Sequence, residues 1–322
     1  MRPINKDLNS IPESLKPNTR HFFPKGKYPR RSDSTHRIRI KMLEKGAYDD
    51  SADSHYNGTD VKKALKKIYH DKCAYCEQKV ERPDVEHYRP KRGNRVKIEK
   101  KGGKLKRVMI ENDKPELLHD GYYWLSLSWD NLLLSCPTCN GKKSNKFKIR
   151  RNRVTTLLLS EAGNQWENIH NLSRQYDDIE EPLLLNPERS ELENQLIFDK
   201  NGDVKSEKPE GKYTIETCDL KRTYLVDERR KIIDDFVKEV KSVCVEHIEV
   251  FDGGKRYKET ERMRIEMMVL MRSFISKSRD MDNPFIGFRK QAIDWLDGIV
   301  ADYVGGNYWS LILQKIKFDM GV

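Results

Sequence analysis

The sequence lacks the marks of membrane insertion or export. No apolar run approaches the roughly 18 to 20 residues that spanning a bilayer requires, and Met1-Arg2-Pro3-Ile4-Asn5-Lys6 has no apolar signal core. A cytoplasmic protein with no membrane partner is expected. There is also no internal repeat, no phosphate-binding P-loop and no dinucleotide fingerprint, so repeat arrays and the common nucleotide-binding folds are excluded on sequence grounds. Cysteine is scarce, with six in 322 residues, yet four of the six lie in two Cys-x-x-Cys pairs, Cys73/Cys76 and Cys136/Cys139. In a reducing compartment such pairs read as metal ligands rather than as a disulfide framework. Cys218 and Cys244 stand alone and read as buried or partly buried thiols.

Charge is plentiful, at 35% of residues, but 36% hydrophobic residues with five Trp, ten Phe and fourteen Tyr suffice for globular cores. The distribution is lopsided. Residues 1–150 carry 35 Lys and Arg against 19 Asp and Glu, whereas the remainder carries 27 against 32. Lys and Arg neutralise phosphates without regard to sequence, so the basic half is expected to face a nucleic acid. The length allows two domains.

Residues 1–58 read as an irregular basic arm with one short helix around 35–45. Asp60 is expected to cap a helix in which Val61, Leu65, Ile68 and Tyr69 recur at helical spacing, leading into the first cysteine pair. Between the pairs, Arg95 to Lys100 and Leu105 to Ile110 alternate around Gly102-Gly103, which predicts a β-hairpin. Ten basic residues and one acid lie between Arg89 and Arg107, suiting the hairpin to contact a nucleic-acid backbone; protection of a solvated sheet edge is the alternative. Beyond residue 150, Leu183-Leu184-Leu185-Asn186-Pro187 reads as a strand, and Leu196 to Val204 as a small hairpin turning on Asn201-Gly202. Helical patterns follow at 224–248, 258–278, 284–300 and 306–317.

Cys73, Cys76, Cys136 and Cys139 together make the four-thiolate set of a closed, structural Zn²⁺ site, with paired redox motifs as the alternative. Such a site would close the long segment between the pairs and leaves no open coordination position for catalysis. Pro83 to Tyr88 reads as a strand, Asn131 to Ser135 as a second strand, and Pro137 to Phe147 as a short helix.

With Val85-Glu86-His87-Tyr88-Arg89-Pro90-Lys91 and Cys136-Pro137-Thr138-Cys139-Asn140-Gly141-Lys142-Lys143, this order resembles the HNH endonuclease family, whose fold is a ββα-metal unit. The resemblance implies a ββα-metal core, here zinc-stapled, at 59–150; with the basic hairpin read between the cysteine pairs and the helical patterns of the later residues, the expected fold is α+β, with a mainly α-helical region at 151–322 for partner docking or core support. It implies that His87 is the general base, that Asn131 orients the His87 loop, and that Glu86 and Asn140 hold a divalent metal. Glu86 departs from the family's commoner Asp, which leaves Asp84 a place beside it. Oxygen donors of this kind suit Mg²⁺ or Mn²⁺. A neutral imidazole can take a proton from water near neutral pH, and a divalent cation can stabilise charge on the phosphate and the departing oxygen. Arg89 and Lys143 lie where a phosphate could be held, with an ordinary surface charge as the alternative for both.

A narrower similarity is to the HNH component of Septu-type bacterial anti-phage systems and their retron-associated relatives. It rests on Met1-Arg2-Pro3, Cys73 to Glu77, Val85 to Lys91, Gly121 to Leu125, Trp129 to Leu133, Leu183 to Pro187, Gly211 to Glu216 and Arg229-Arg230. It implies DNA as substrate and control by an ABC/SMC-type ATPase encoded by a neighbouring gene. Residues 250–322 carry no part of the resemblance. A solitary restriction or repair nuclease, and a zinc-stapled nucleic-acid adapter without activity, are the other readings.

Overall fold

The computed structural model describes residues 1–20, 22–23, 30–93, 96–101, 104–109, 119–155, 168–192, 194–251, 254–257, 261–304 and 309–321. Among these residues the fold is α+β and mostly helical, with five sheets of two antiparallel strands each. Strands β1 (Phe22–Phe23) and β2 (Arg30–Arg31) are followed by helices α1 (Thr35–Lys45), α2 (Asp53–Tyr56) and α3 (Thr59–Tyr69). Next come β3 (Asp84–His87), the hairpin β4 (Val96–Lys101) and β5 (Lys104–Met109), then β6 (Leu132–Ser135) and α4 (Pro137–Lys143). Short helices α5 (Leu172–Gln175) and α6 (Asp177–Glu180), strands β7 (Ile197–Phe198) and β8 (Val204–Lys205), and α7 (Pro209–Thr217) follow. The chain ends in α8 (Thr223–Glu246), strands β9 (Ile248–Phe251) and β10 (Gly254–Tyr257), α9 (Glu261–Arg279), α10 (Ile286–Ala292), α11 (Leu296–Val304) and α12 (Trp309–Met320).

The chain divides into two compact units. One is Pro3–Gln195 with Glu207–Asp219; the other is Met1–Arg2 with Leu196–Ser206 and Leu220–Val322. The borders expected at 58 and 150 therefore fall inside the first unit, for reasons visible in its packing. Lys6 is buried and donates to the carbonyls of Trp129 and Leu132 while pairing with Glu188 at 2.8 Å, which anchors the N-terminal segment beside β6. Leu15, Ile38, Met42 and Tyr56 are likewise buried, so residues 3–20 and 32–58 contribute side chains to the core of this unit. The short helix expected around 35–45 is α1.

β6 is apolar and buried along its whole length, with Leu132, Leu133 and Leu134 fully enclosed; a short continuous apolar run is what a strand covered on both faces requires. It pairs with β3 in the register Asp84 with Ser135 through His87 with Leu132. α3 buries Val61, Leu65 and Tyr69 on one stripe, as the spacing predicts. Its start differs from expectation: Asp60 lies within the first turn, and its carboxylate accepts from the Ser14 N–H and hydroxyl. Leu183 to Pro187 forms no strand either. The Leu183 N–H donates to Lys148 O, but Leu185 and Asn186 donate to the Thr214 and Ser190 hydroxyls, so side chains take the place of a ladder partner. The hairpin predicted between the cysteine pairs is β4–β5; its glycine turn lies outside the described residues.

In the second unit, α8 buries Leu225, Arg229, Ile233, Phe236, Val240 and Cys244, and Phe236 meets Phe274 of α9 edge to face at 5.4 Å. The predicted Asn201-Gly202 turn joins β7 and β8; Gly202 has φ +83°, and a Cβ there would lie 2.3 Å from Val226 O, so no side chain fits.

Candidate functional site

Cys73, Cys76, Cys136 and Cys139 are all buried, none is disulfide-bonded, and their four sulfur atoms lie within 4.8 Å of one another. A Zn–S bond of roughly 2.3 Å puts tetrahedral thiolates about 3.8 Å apart; the Sγ atoms of Cys76 and Cys136 are separated by 3.9 Å. The group could hold a metal ion such as zinc. Local backbone builds the site. Glu77, just after the first pair, adopts the left-handed conformation and donates its N–H to Cys73 O. Cys136 caps α4, its sulfur accepting the Cys139 N–H at 3.3 Å, with Pro137 pre-set for the first helical position.

Side chains alternate along a strand, so Asp84 and Glu86 share one face of β3 and His87 takes the other. The first face meets α4. Asn140 donates from Nδ2 to Asp84 at 2.9 Å, and both are half-buried. Glu86 is buried, and its Oε1 lies 2.5 Å from Lys143 Nζ but outside hydrogen-bond alignment. Burial pushes the Glu86 carboxyl above its ordinary value, and the Lys143 ammonium opposes that rise. Lys143 also donates to His87 O at 2.8 Å. Thus Asn140 is brought to Asp84, whereas Glu86 is brought to Lys143. The face offers carboxylate and amide oxygens, a donor set that suits a hard divalent cation.

His87, on the other side, is buried and lies against Tyr56, ring centroids 4.5 Å apart and nearly perpendicular. Its Nε2 is 2.9 Å from Ser126 O. A carbonyl can only accept, so Nε2 carries the hydrogen and Nδ1 keeps a lone pair. Burial, with the nearby Lys91 charge, pushes the imidazole pKa down to about 3, so the ring is neutral across the physiological range. Asn131 is fully buried and clamps the two segments that flank the ring. Its Oδ1 accepts from the Arg89 N–H at 2.8 Å, and its Nδ2 donates to Arg89 O and Leu125 O at 2.9 and 3.2 Å.

Arg89 and Lys143 do not lie at an open surface. Arg89 is fully buried: Nε donates to Glu180, NH2 to Asp177 and NH1 to the Ser173 carbonyl, all at 2.7 to 2.9 Å. Two carboxylates hold its guanidinium above even its ordinary pKa, against the effect of burial. Removing one partner of a buried ion pair costs about 3–5 kcal/mol, because the other charge stays buried. Arg89→Ala is therefore expected to lower unfolding stability by that amount, read from urea denaturation; a loss under about 1 kcal/mol, the range of surface pairs, would contradict the arrangement.

A second histidine in this region carries a pH dependence. His170 is buried and accepts the Trp129 N–H through Nδ1 at 3.1 Å, and burial lowers its pKa to about 3. The unfolded chain, with a histidine near 6.5, then binds more protons than the folded one between those values, so stability rises with pH there. The contribution is complete above roughly pH 6.5 and is lost as pH falls towards 3, by up to about 1.4 kcal/mol per pH unit. The difference in stability between wild type and His170→Gln should shrink with that slope between pH 6.5 and 5; a pH-independent difference would contradict a neutral His170.

Sequence reasoning missed Ser126, Tyr56 and the Arg89 partners. Ser126 acts through a backbone carbonyl, which has no sequence signal. The acid-rich run Asp177-Asp178-Ile179-Glu180-Glu181 could have been matched to the buried cation it serves. Tyr56 lies in a segment that sequence alone assigns to the basic arm.

Fold and site together define an α+β protein with a buried four-cysteine group able to hold a metal. The chain is similar to Septu protein PtuB of Bacillus mycoides (strain KBAB4), 31% identical over 233 residues, covering 69% of this chain and 66% of the relative. The chain thus spans just under two thirds of that relative's length. Septu protein PtuA of the same organism is 25% identical over 178 residues, covering 55% of this chain but 21% of PtuA. No family model and no solved structure matches. Among the described residues no helix is long and apolar enough to cross a membrane.

Proposed function

We propose that the chain is a metal-dependent HNH endonuclease that hydrolyses phosphodiester bonds in DNA, serving in the cytoplasm as the nuclease effector of a Septu-type anti-phage system under a partner ATPase. The observation that carries this reading is the setting of His87 at the end of β3: its Nε2 faces Ser126 O, which turns the Nδ1 lone pair to the task of accepting a proton. The order β3, β6, α4 around it supports a ββα unit, and the buried thiols suit Zn²⁺ as its structural metal. The basic character of residues 1–150 supports DNA as the polyanion.

His87 Nδ1 takes the proton of the attacking water, and Asn131 holds the segments on either side so that the ring keeps its tautomer. Glu86 and Asn140, with Asp84 beside them, are the residues that would hold Mg²⁺ or Mn²⁺. A cation bound there would supply charge stabilisation for the phosphate and the departing 3′ oxygen. Arg89 takes no part in binding phosphate in this reading, and Lys143 serves to balance Glu86.

One observation favours an adapter without activity: Glu86 already has a cation, Lys143, at 2.5 Å. Incubation of the purified chain with supercoiled plasmid and Mg²⁺ or Mn²⁺, with and without the ATPase from the neighbouring gene, separates the readings. Metal-dependent nicking supports the nuclease. Its absence under both conditions supports the adapter, and activity indifferent to the ATPase supports a solitary enzyme.

A further inference from the structure

We infer that Tyr56, from the N-terminal segment and outside the nuclease motifs, is a positioning residue for His87, and that a closed network of Lys91, Asp53 and Tyr48 holds it in place. The inference rests on His87 as the base proposed above.

The network is complete. Lys91 Nζ donates to Asp53 at 3.0 Å, to the Tyr48 hydroxyl at 3.2 Å and to the Tyr56 hydroxyl, which occupies all three of its hydrogens. Asp53 Oδ1 in turn accepts from both hydroxyls, that of Tyr56 at 2.9 Å. The ammonium also lies over both rings, 4.4 Å from the Tyr48 centroid and 4.2 Å from that of Tyr56. Lys91 is four residues after His87, whereas Tyr48, Asp53 and Tyr56 come from the stretch before α3.

Tyr56 therefore cannot rotate without breaking its bonds to Lys91, whose side chain is mostly buried, and to Asp53, whose carboxylate is half exposed. Its ring meets the imidazole edge to face at 4.5 Å, and Ser126 O holds the opposite requirement by accepting Nε2–H. Helix α1 steadies that carbonyl's segment: Arg39 donates to Leu127 O at 2.8 Å, and Ser126 Oγ contacts Met42 Sδ at 3.5 Å. The imidazole is thus gripped by a ring on one side and a carbonyl on the other, both braced by the N-terminal segment. Such a clamp selects one tautomer and one ring angle for the base. A displacement of about 1 Å at a reacting group can cost roughly 100-fold in rate.

The test compares Tyr56→Ala, Tyr56→Leu and Tyr56→Phe in the full-length chain. Under plasmid cleavage, Tyr56→Ala and Tyr56→Leu should lower kcat by about 100-fold with KM unchanged, and Tyr56→Phe, which keeps the ring beneath the Lys91 ammonium but loses the hydroxyl anchored in the network, should fall between them and wild type. In ¹⁵N-histidine spectra the His87 ring nitrogens should report a single Nε2–H tautomer in wild type, a mixture in Tyr56→Leu, and a smaller admixture in Tyr56→Phe. Tyr56→Leu fills the space, so it serves if Tyr56→Ala does not fold. Ring signals unchanged in folded Tyr56→Leu, or kcat equal to wild type, would overturn the inference. Ring signals that move as expected in a chain that never cleaves would sink the nuclease reading and leave the positioning role standing.

Discussion

Cys139→Ser is expected to remove the metal that the four thiols are suited to hold and to abolish cooperative folding of the first unit. The sulfur of Cys139 is one of four buried thiols gathered within 4.8 Å, and its N–H donates to the Cys136 sulfur that caps α4. Serine offers a hydroxyl that is protonated at neutral pH and cannot match a thiolate as a ligand. Structural zinc supplies on the order of 10–16 kcal/mol of apparent binding energy in small zinc modules. Whole domains are stable by only about 5–15 kcal/mol, so loss of a large part of that energy exceeds the margin. The check is metal content by elemental analysis together with thermal unfolding. A variant that keeps one equivalent of zinc, or that melts as wild type does, would show that the four thiols are not a metal site.

His87→Ala should lower metal-dependent plasmid cleavage by about 10²- to 10⁴-fold, the range that a positioned general base contributes. The effect should fall on kcat, because the imidazole acts on the water rather than on the rest of the DNA. Unlike the cysteine substitution, it should leave the chain folded, because the imidazole packs on Tyr56 and Ser126 O and not on the thiols. Cleavage by His87→Ala at the wild-type rate would remove His87 from the chemistry. The two variants together separate scaffold from reaction.

How much of this was legible beforehand depends on the kind of interaction. The cysteine pairs, β3, β6 and α4 announce themselves because ligand spacing and a continuous apolar run are local patterns, and the long helices from α8 onward follow from their apolar stripes. Arg89 reads from sequence as a phosphate contact or a surface charge because its partners, Asp177 and Glu180, lie about 90 positions away, and no local rule pairs them. Lys6 was read into a basic arm for the same reason, although it reaches the carbonyls of Trp129 and Leu132. Leu183 to Pro187 had the apolar character of a strand, yet two of its backbone donors pair with hydroxyls that periodicity cannot foresee. At the site, the motif names Glu86 and Asn140 together, whereas the fold gives Asn140 to Asp84 and Glu86 to Lys143. Such choices among neighbouring polar groups are settled by tertiary geometry.

The register of β3 on β6 puts Asp84 opposite Ser135, next to the thiols, and His87 opposite Leu132 at the far end of the ladder. Three residues of strand, about 10 Å, separate the fastening from the imidazole. What the imidazole needs from the fastening is only that the pairing not slip, since a slip of one residue would turn every side chain of β3 to the wrong face. The fastener is thereby interchangeable in principle. A different cross-link at the Ser135 end, such as a pair of interlocking apolar side chains, could hold the same register without any metal and without touching the imidazole end.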